Sequence, residues 1–261
     1  MPNPISNLAE TPVVILCGGK GIVIDDSGLR TNKALIQVAG HAIVTWVMRH
    51  YVSAGFRNFI LATGFQSDKL VDMLKSNHGA TLNGDVQSLL LAGTRCSVSI
   101  VTTPDNATTG DRLKACRPYL RGADYFCTSY SDTLSDVNLT ELCRFHLFGG
   151  QIASLVAAEY PVRFRILGMR LGDDTRVRGF ATKPVIEMAP INGGFYLFNH
   201  AIFDERYLGV SQDNLVLENE VLDRLSADGQ LRAFCHKGRW QTLDCERDLI
   251  PLSQIAASIP T

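Results

Sequence analysis

The sequence predicts an α/β fold, a mostly parallel, doubly wound sheet with a mixed or antiparallel C-terminal extension. Three observations carry that expectation. Val13 to Cys17 is a β-branched apolar run, VVILC, that stops at Gly18-Gly19, as a strand buried on both faces does. Short apolar runs then alternate with helical spacings as far as about Gly150, which argues βαβ units. Beyond Gly150 the apolar runs follow one another with little helix between them, which argues antiparallel pairing.

The elements follow in order. Ala42 to Ala54 has helical apolar spacing and stops at Gly55. Phe59 to Ala62 is a short strand, and Ser67 to Lys75 a helix with Ser67 as its cap. Cys96 to Val101 reads as a strand, Thr109 to Cys116 as a helix, Tyr125 to Ser129 as a strand and Leu139 to Phe148 as a helix. In the second half, Ala153 to Ala158, Phe164 to Leu171, Val177 to Thr182 and Gly194 to Phe198 read as strands, and Leu217 to Leu225 as a helix. No linker or repeat interrupts the chain, so one domain over 1–261 is expected, with a nucleotide-type half at about 13–150 and an acceptor-type half at about 151–261.

Composition narrows the function. Of 261 residues 46% are apolar, enough for a sizeable core, and 25 basic against 26 acidic residues leave a net charge of −1. No basic stripe points to nucleic acid and no polybasic run to a membrane surface. The first twelve residues lack the apolar core of a signal peptide. Seven scattered cysteines without a C-x-x-C pair suggest neither a disulfide framework nor a zinc site. These features lead us to expect a cytoplasmic protein.

Several segments could carry chemistry. LCGGKG, Leu16 to Gly21, lets the backbone approach a phosphate and aims successive N–H groups at it. It fits neither G-x-G-x-x-G nor the P-loop spacing. Lys33 follows the polar loop DDSGLRTN and can fold back over those glycines. Asp132 sits just past the strand YFCTS, and Asp244 lies in RWQTLD. At the carboxyl ends of strands, where open sheets bind ligands, two carboxylates can share one Mg²⁺ with phosphate oxygens. In isolation each reads more readily as a turn or helix-capping residue. TTGDRLK, Thr108 to Lys114, combines a helix start with Arg112 and Lys114, which suits an anion. INGGF, Ile191 to Phe195, places two glycines at a strand entrance, as a bulge or a pocket floor.

Together these segments resemble the sugar nucleotidyltransferase family, and within it the glucose-1-phosphate cytidylyltransferase branch, from about Val13 to Asp248 and in the family's order. VVILCGGKG looks like the signature loop and NKALIQVAGHAI like the lysine segment. TTGDRLK looks like T-G-G-R-L-K, and SYSDTLSDVNL like the Y-G-D-G strand end. TKPVIEMAPINGGFYLFN looks like E-K-P followed by I-N-G-G-F. ENEVL and GRWQTLDCERD look like E-x-E-P-L and W-x-x-x-D-x-x-R-D.

The resemblance implies the nucleotidyltransferase fold, with a Rossmann-like sheet, and in-line attack of an acceptor phosphate on CTP. It implies Lys33 and Asp132 as catalytic, with Mg²⁺ on Asp132 and Asp244. Leu16, Gly18, Gly19, Lys20, Gly21, Thr109, Gly110, Arg112 and Tyr130 are then expected at the nucleotide. Arg165, Lys183, Asn192, Gly193 and Glu220 are expected at the acceptor, with Lys183 on its phosphate. Family members are usually oligomers, so a homo-oligomer is expected. No protein nucleophile is required.

The chain departs from the family at informative places. Ile22 and Val23 stand where the loop should read Thr-Arg, and that arginine normally faces the leaving pyrophosphate. Lys20 and Arg30 are the nearby cations. Thr182 replaces the glutamate of E-K-P, Arg165 stands where the family has glycine, and Ser131 and Thr133 flank Asp132 in place of glycines. These changes suggest an acceptor more anionic than glucose 1-phosphate, or differently hydroxylated. Two other readings remain open: a non-catalytic binding or regulatory protein that kept the fold, and the same enzyme using UTP, dTTP or ATP.

Overall fold

The structure, a computed structural model, describes residues 7–22, 28, 30–83, 86–161 and 188–260. Its strands are β1 (Pro12–Leu16), β2 (Gln37–Val38), β3 (His41–Ala42), β4 (Asn58–Thr63), β5 (Thr81–Asn83), β6 (Val86–Leu91), β7 (Thr94–Thr102), β8 (Tyr125–Tyr130), β9 (Thr133–Ser135), β10 (Ala153–Pro161), β11 (Met188–Asn199), β12 (Leu231–His236) and β13 (Trp240–Thr242). Its α-helices are α1 (Ile43–Ser53), α2 (Ser67–His78), α3 (Thr109–Ala115), α4 (Leu139–Gly149), α5 (Leu222–Ala227) and α6 (Leu249–Ala256).

Nine strands form one sheet in the order β12-β10-β11-β8-β1-β4-β7-β6-β5. β1 pairs in parallel with β4 and β8, and β4 in parallel with β7. In the second half β11 runs against the parallel strands, antiparallel to both β8 and β10, while β10 and β12 pair in parallel. The expected parallel sheet with a mixed extension is what forms. The strand readings over Phe164 to Leu171 and Val177 to Thr182 lie outside the described residues.

The sheet is covered on both faces because its central strands carry apolar side chains on both sides, β1 at every position. Along β1, Val13 and Ile15 join one core with Tyr51, Phe56 and Phe59, while Val14 and Leu16 join the other with Tyr196, Phe198 and Leu113. A strand of alternating residues can face two layers only if both sets are apolar. Helix α1 places Ile43, Trp46, Val47 and Tyr51 in the first core, and α3 and α5 cover the second through Leu113 and Leu225. Each fully buried aromatic or aliphatic side chain contributes roughly 1.5–3 kcal/mol.

Three local expectations need correction. Ser67 does not cap α2. Gln66 is the cap, in the left-handed region at φ 57°, and the Ser67 hydroxyl pairs with Thr63 Oγ1 at 2.7 Å. INGGF does not open its strand but lies inside β11, where the register against β10 slips between Leu155 and Ala157. The double glycine is a bulge: Gly194 has φ 73°, and a Cβ there would collide with the Tyr130 ring. The helix expected from Leu217 begins as a π-helical turn, Leu217–Val221, before α5. The β5–β6 hairpin edge and the edge strand β12 were not anticipated.

Candidate active site

β1 ends at Leu16, and the chain crosses the carboxyl ends of the parallel strands as Cys17 to Gly21. Two devices hold that crossing. Ile22 and Thr31 exchange backbone hydrogen bonds of 3.0 and 2.9 Å, which zips the glycine loop to the segment before Lys33. Gly21, at φ 74°, lies against the Thr31 carbonyl, where a Cβ would clash. Asn32, buried at 2% exposure, donates from Nδ2 to the carbonyls of Cys17 and Phe65, both at 2.7 Å. Its Oδ1 accepts from Ala34 N at 3.0 Å, capping the 3-10 turn Lys33–Leu35. Asn32 thus ties the lysine turn to the glycine loop, a role the sequence reading missed.

Lys33 projects from the start of that turn. Its Nζ lies 3.1 Å from Asp132 Oδ2 and 2.9 Å from Asp244 Oδ1. The two carboxylates belong to one ribbon: β9, just after Asp132, pairs antiparallel with β13, just before Asp244, and Leu243 N donates to Asp132 O at 2.9 Å. Asp248 sets the turn that presents Asp244, its Oδ2 accepting from Asp244 N and Cys245 N at 2.8 and 2.9 Å. Burial raises the Asp132 pKa, only partly offset by the Lys33 charge and hydrogen bond. Burial pulls Lys33 down, but the Asp132 charge and the hydrogen bonds from both carboxylates outweigh it and leave Lys33 raised. The ammonium is therefore charged at neutral pH.

A cleft of about 600 Å³ opens above this cluster. It is lined by Leu16, Gly18, Gly19, Lys20, Gly21, Lys33, Thr109, Arg112, Tyr130 and Asp132, all expected at the nucleotide or catalytic site. Asp244 reaches the cleft through Lys33. Gly110 packs against the Leu215 carbonyl, where any Cβ would clash.

Arg112 does something other than the sequence suggests. It is 3% exposed. Its Nη1 donates to Thr63 O at 3.0 Å and to the Thr103 hydroxyl. Its Nη2 donates to Gly18 O at 2.6 Å and Asp105 O at 3.2 Å. The guanidinium binds the ends of β1, β4 and β7 together, and a Cβ on Gly18 or Gly64 would fall on it. Both terminal nitrogens are spent on protein acceptors instead of pointing to an anion. Lys114 is likewise committed, to Val210 O at 2.7 Å.

A hydrogen-bonded chain crosses the wall from the first half to the second. The Thr109 hydroxyl donates to Glu218 Oε2 at 2.6 Å, Tyr130 OH donates to Glu218 Oε1, and the Tyr130 and Tyr196 hydroxyls are 2.9 Å apart. Asn192 Nδ2 donates to Tyr196 OH at 2.7 Å. Burial, reinforced by Tyr196 and Glu218, holds Tyr130 far above the usual phenol pKa, so it stays protonated. Asn192 is exposed on the bulge, and the Gly193 carbonyl accepts from Trp240 Nε1 at 2.8 Å. Of the acidic pair in ENEVL, Glu218 lines the cleft, while Glu220 Oε2 accepts from Val216 N at 2.8 Å. Glu218 and Tyr196 lie in the ENEVL and INGGFYLFN segments, but the sequence reading assigned neither of them to the site. Arg165, Thr182 and Lys183 lie outside the described residues.

A glycine loop after the first strand, a lysine clamped between two carboxylates and a cleft at the strands' carboxyl ends define an enzyme that handles phosphate anions by position and charge. The chain belongs to the nucleotidyl transferase family, whose model matches residues 12–249. It is 30% identical to glucose-1-phosphate cytidylyltransferase of Salmonella typhimurium, over 92% of this chain and 93% of that one. It is 29% identical to a probable glucose-1-phosphate cytidylyltransferase of Bacillus subtilis, over 93% and 94%. It is 25% identical to a mannose-1-phosphate guanylyltransferase catalytic subunit beta of Xenopus tropicalis, over 91% of this chain and 62% of that one. HddC from Yersinia pseudotuberculosis, solved with GMP-PN, shares the fold at TM-score 0.68 and 18% identity, covering 94% of this chain and 98% of that one. Among the described residues no helix is long and apolar enough to cross a membrane.

Proposed function

We propose that the enzyme transfers a cytidylyl group from CTP to a sugar phosphate or related phosphorylated acceptor, releasing pyrophosphate and leaving a CDP-activated product. The observation that carries this reading is the Lys33 ammonium held between Asp132 and Asp244 in a glycine-lined cleft. The cytidylyltransferase relatives and the TTGDRLK segment, whose Thr109 lines the cleft, support CTP.

Mg²⁺ is the cofactor in this reading. The donors fit: two carboxylates from one ribbon already converge on a single cation, and Mg²⁺ accepts one or two carboxylates with phosphate oxygens and water completing its shell. Asp132 and Asp244 would hold it, and it would supply neutralisation of the triphosphate charge. Lys33 donates to the α-phosphoryl oxygens as charge develops there. The glycine-loop N–H groups orient the nucleotide, and the β9–β13 ribbon keeps both carboxylates in register. An acceptor phosphate oxygen attacks in line, so catalysis needs placement and charge compensation, not a side-chain nucleophile. Cys17 beside the cleft is no competitor, because burial pushes its thiol pKa far up. Lys183 and Arg165 are the proposed acceptor-side cations. We expect the enzyme to act in the cytoplasm as a homo-oligomer.

Pyrophosphate release tests the reading: purified protein with Mg²⁺, a panel of sugar phosphates and each nucleoside triphosphate should turn over fastest with CTP. Faster turnover with UTP, dTTP or ATP would reassign the base. Normal turnover of glucose 1-phosphate would remove the idea of a different acceptor.

A further inference from the structure

The segment that leads into Lys33 is held along both of its edges. On one edge Thr31 exchanges backbone hydrogen bonds with Ile22, at 3.0 and 2.9 Å. The N–H and C=O of Thr31 therefore leave on one side, and the Arg30 carbonyl and Asn32 N–H face the other. Among the described residues no strand pairs on that outer edge. A side chain takes its place: Gln66 Oε1 accepts from Asn32 N at 2.9 Å, and Gln66 Nε2 donates to Arg30 O at 3.2 Å. A carbonyl and an N–H two residues apart are the pair that a parallel strand engages. One planar carboxamide supplies the matching donor and acceptor.

Two features of Gln66 have no local explanation. It is the N-cap of α2, yet its side chain makes no capping bond. Its backbone is left-handed, at φ 57°, a conformation that glycine takes freely and glutamine takes only under constraint. Both departures direct the carboxamide to the 30–32 segment. Asn32, the residue before the lysine, is thereby bonded to Gln66, to Cys17 O in the glycine loop and to Phe65 O in the turn after β4. We propose that Gln66 is a positioning residue for Lys33, acting through Asn32 to hold the ammonium between Asp132 and Asp244. The proposal rests on the catalytic role given to Lys33 above. Gln66 is not among the residues that line the cleft, so its effect there passes through the lysine segment. Without the carboxamide, the outer edge of 30–32 loses both of its bonds, and the turn that carries Lys33 is less firmly placed. A displacement of about 1 Å at a reacting group costs on the order of a hundredfold in rate.

Gln66→Gly isolates the side chain, because glycine keeps the left-handed turn without strain. The variant should unfold at or above the wild-type temperature, lower kcat about tenfold to a hundredfold, and leave KM for the nucleotide within about twofold. Gln66→Glu keeps the acceptor for Asn32 N but loses the donor to Arg30 O, and should recover part of the loss. In a Lys33→Ala background Gln66→Gly should lower turnover no further, since the two residues act as one unit. Hydrogen exchange gives a readout independent of turnover: the amides of 30–33 should exchange faster in Gln66→Gly, with those of β1 and β4 unchanged. Wild-type kcat in Gln66→Gly, a loss confined to KM, an equal further loss in the Lys33→Ala background, or unchanged exchange at Asn32 would overturn the proposal. If wild-type protein releases no pyrophosphate, the proposed activity falls instead, and the exchange rates still decide whether Gln66 holds the lysine segment.

Discussion

Arg112 and Lys33 both carry a positive charge to the carboxyl ends of the parallel strands, yet their surroundings divide their work. Arg112 is 3% exposed, and its acceptors are three backbone carbonyls and one hydroxyl. The Lys33 side chain is 25% exposed, and its partners are carboxylates, one of them on the 60% exposed Asp244. A buried fork bonded to the backbone fixes strand ends. A partly exposed ammonium between carboxylates can exchange partners when phosphates arrive. The difference lies in burial and partner type, not in charge.

Arg112→Ala should show the larger effect, on stability. It would strand buried acceptors at the ends of three strands, which costs about 3–5 kcal/mol. Urea unfolding measures it, and a loss below about 1 kcal/mol would deny Arg112 its bracing role. Lys33→Ala should show the opposite profile. Its unfolding midpoint should stay close to wild type, while pyrophosphate release falls about a hundredfold to a thousandfold. Unchanged turnover would remove Lys33 from the mechanism.

The cores add a pH dependence that the cleft does not set. Burial drives the His50 and His146 pKa values down from 6.5 to about 4, with Val137 and Asp136 only partly countering it at His50. Both stay neutral in the folded protein as the unfolded chain takes up protons below pH 6.5. Stability should therefore be unpenalised above pH 6.5 and fall as pH drops toward about 4, by on the order of 3 kcal/mol per histidine at most. Denaturation at pH 7 and pH 5 checks the slope, and His146→Gln should flatten it. Equal stability at the two pH values would contradict the burial argument. The smallest effect is expected at Asp244, the exposed partner. Asp244→Asn should raise the Mg²⁺ concentration for half-maximal turnover about tenfold, with little change in unfolding; an unchanged Mg²⁺ requirement would take Asp244 out of the metal site.

The fold was largely legible because the chain states it locally. VVILC must be a strand buried on both faces, and the mixed pairing expected after Gly150 appears as β11, which runs antiparallel to β8 and β10. The missed β5–β6 edge had weaker signals, an Asn-Gly-Asp run in the sequence and an Ala92-Gly93 corner in which both residues take positive φ, 48° and 71°. Alanine is a poor marker for such a turn. The site was legible only in part. Lys33, Asp132 and Asp244 came together through resemblance, since no spacing rule relates residues so far apart in sequence. Arg112 was found but its role was not, because hydrogen bonds to the carbonyls of Gly18, Thr63 and Asp105 leave no mark in composition. Asn32 and Glu218 escaped for the same reason: their partners are set by tertiary contact.

The most direct measurement follows CTP carrying separate labels on its α- and γ-phosphates, with Mg²⁺ and a sugar-phosphate panel. The lysine–carboxylate centre predicts γ-label in pyrophosphate and α-label in a sugar-linked product, both lost in Lys33→Ala. Nucleotide binding with no label released, or γ-label appearing as orthophosphate, would contradict it.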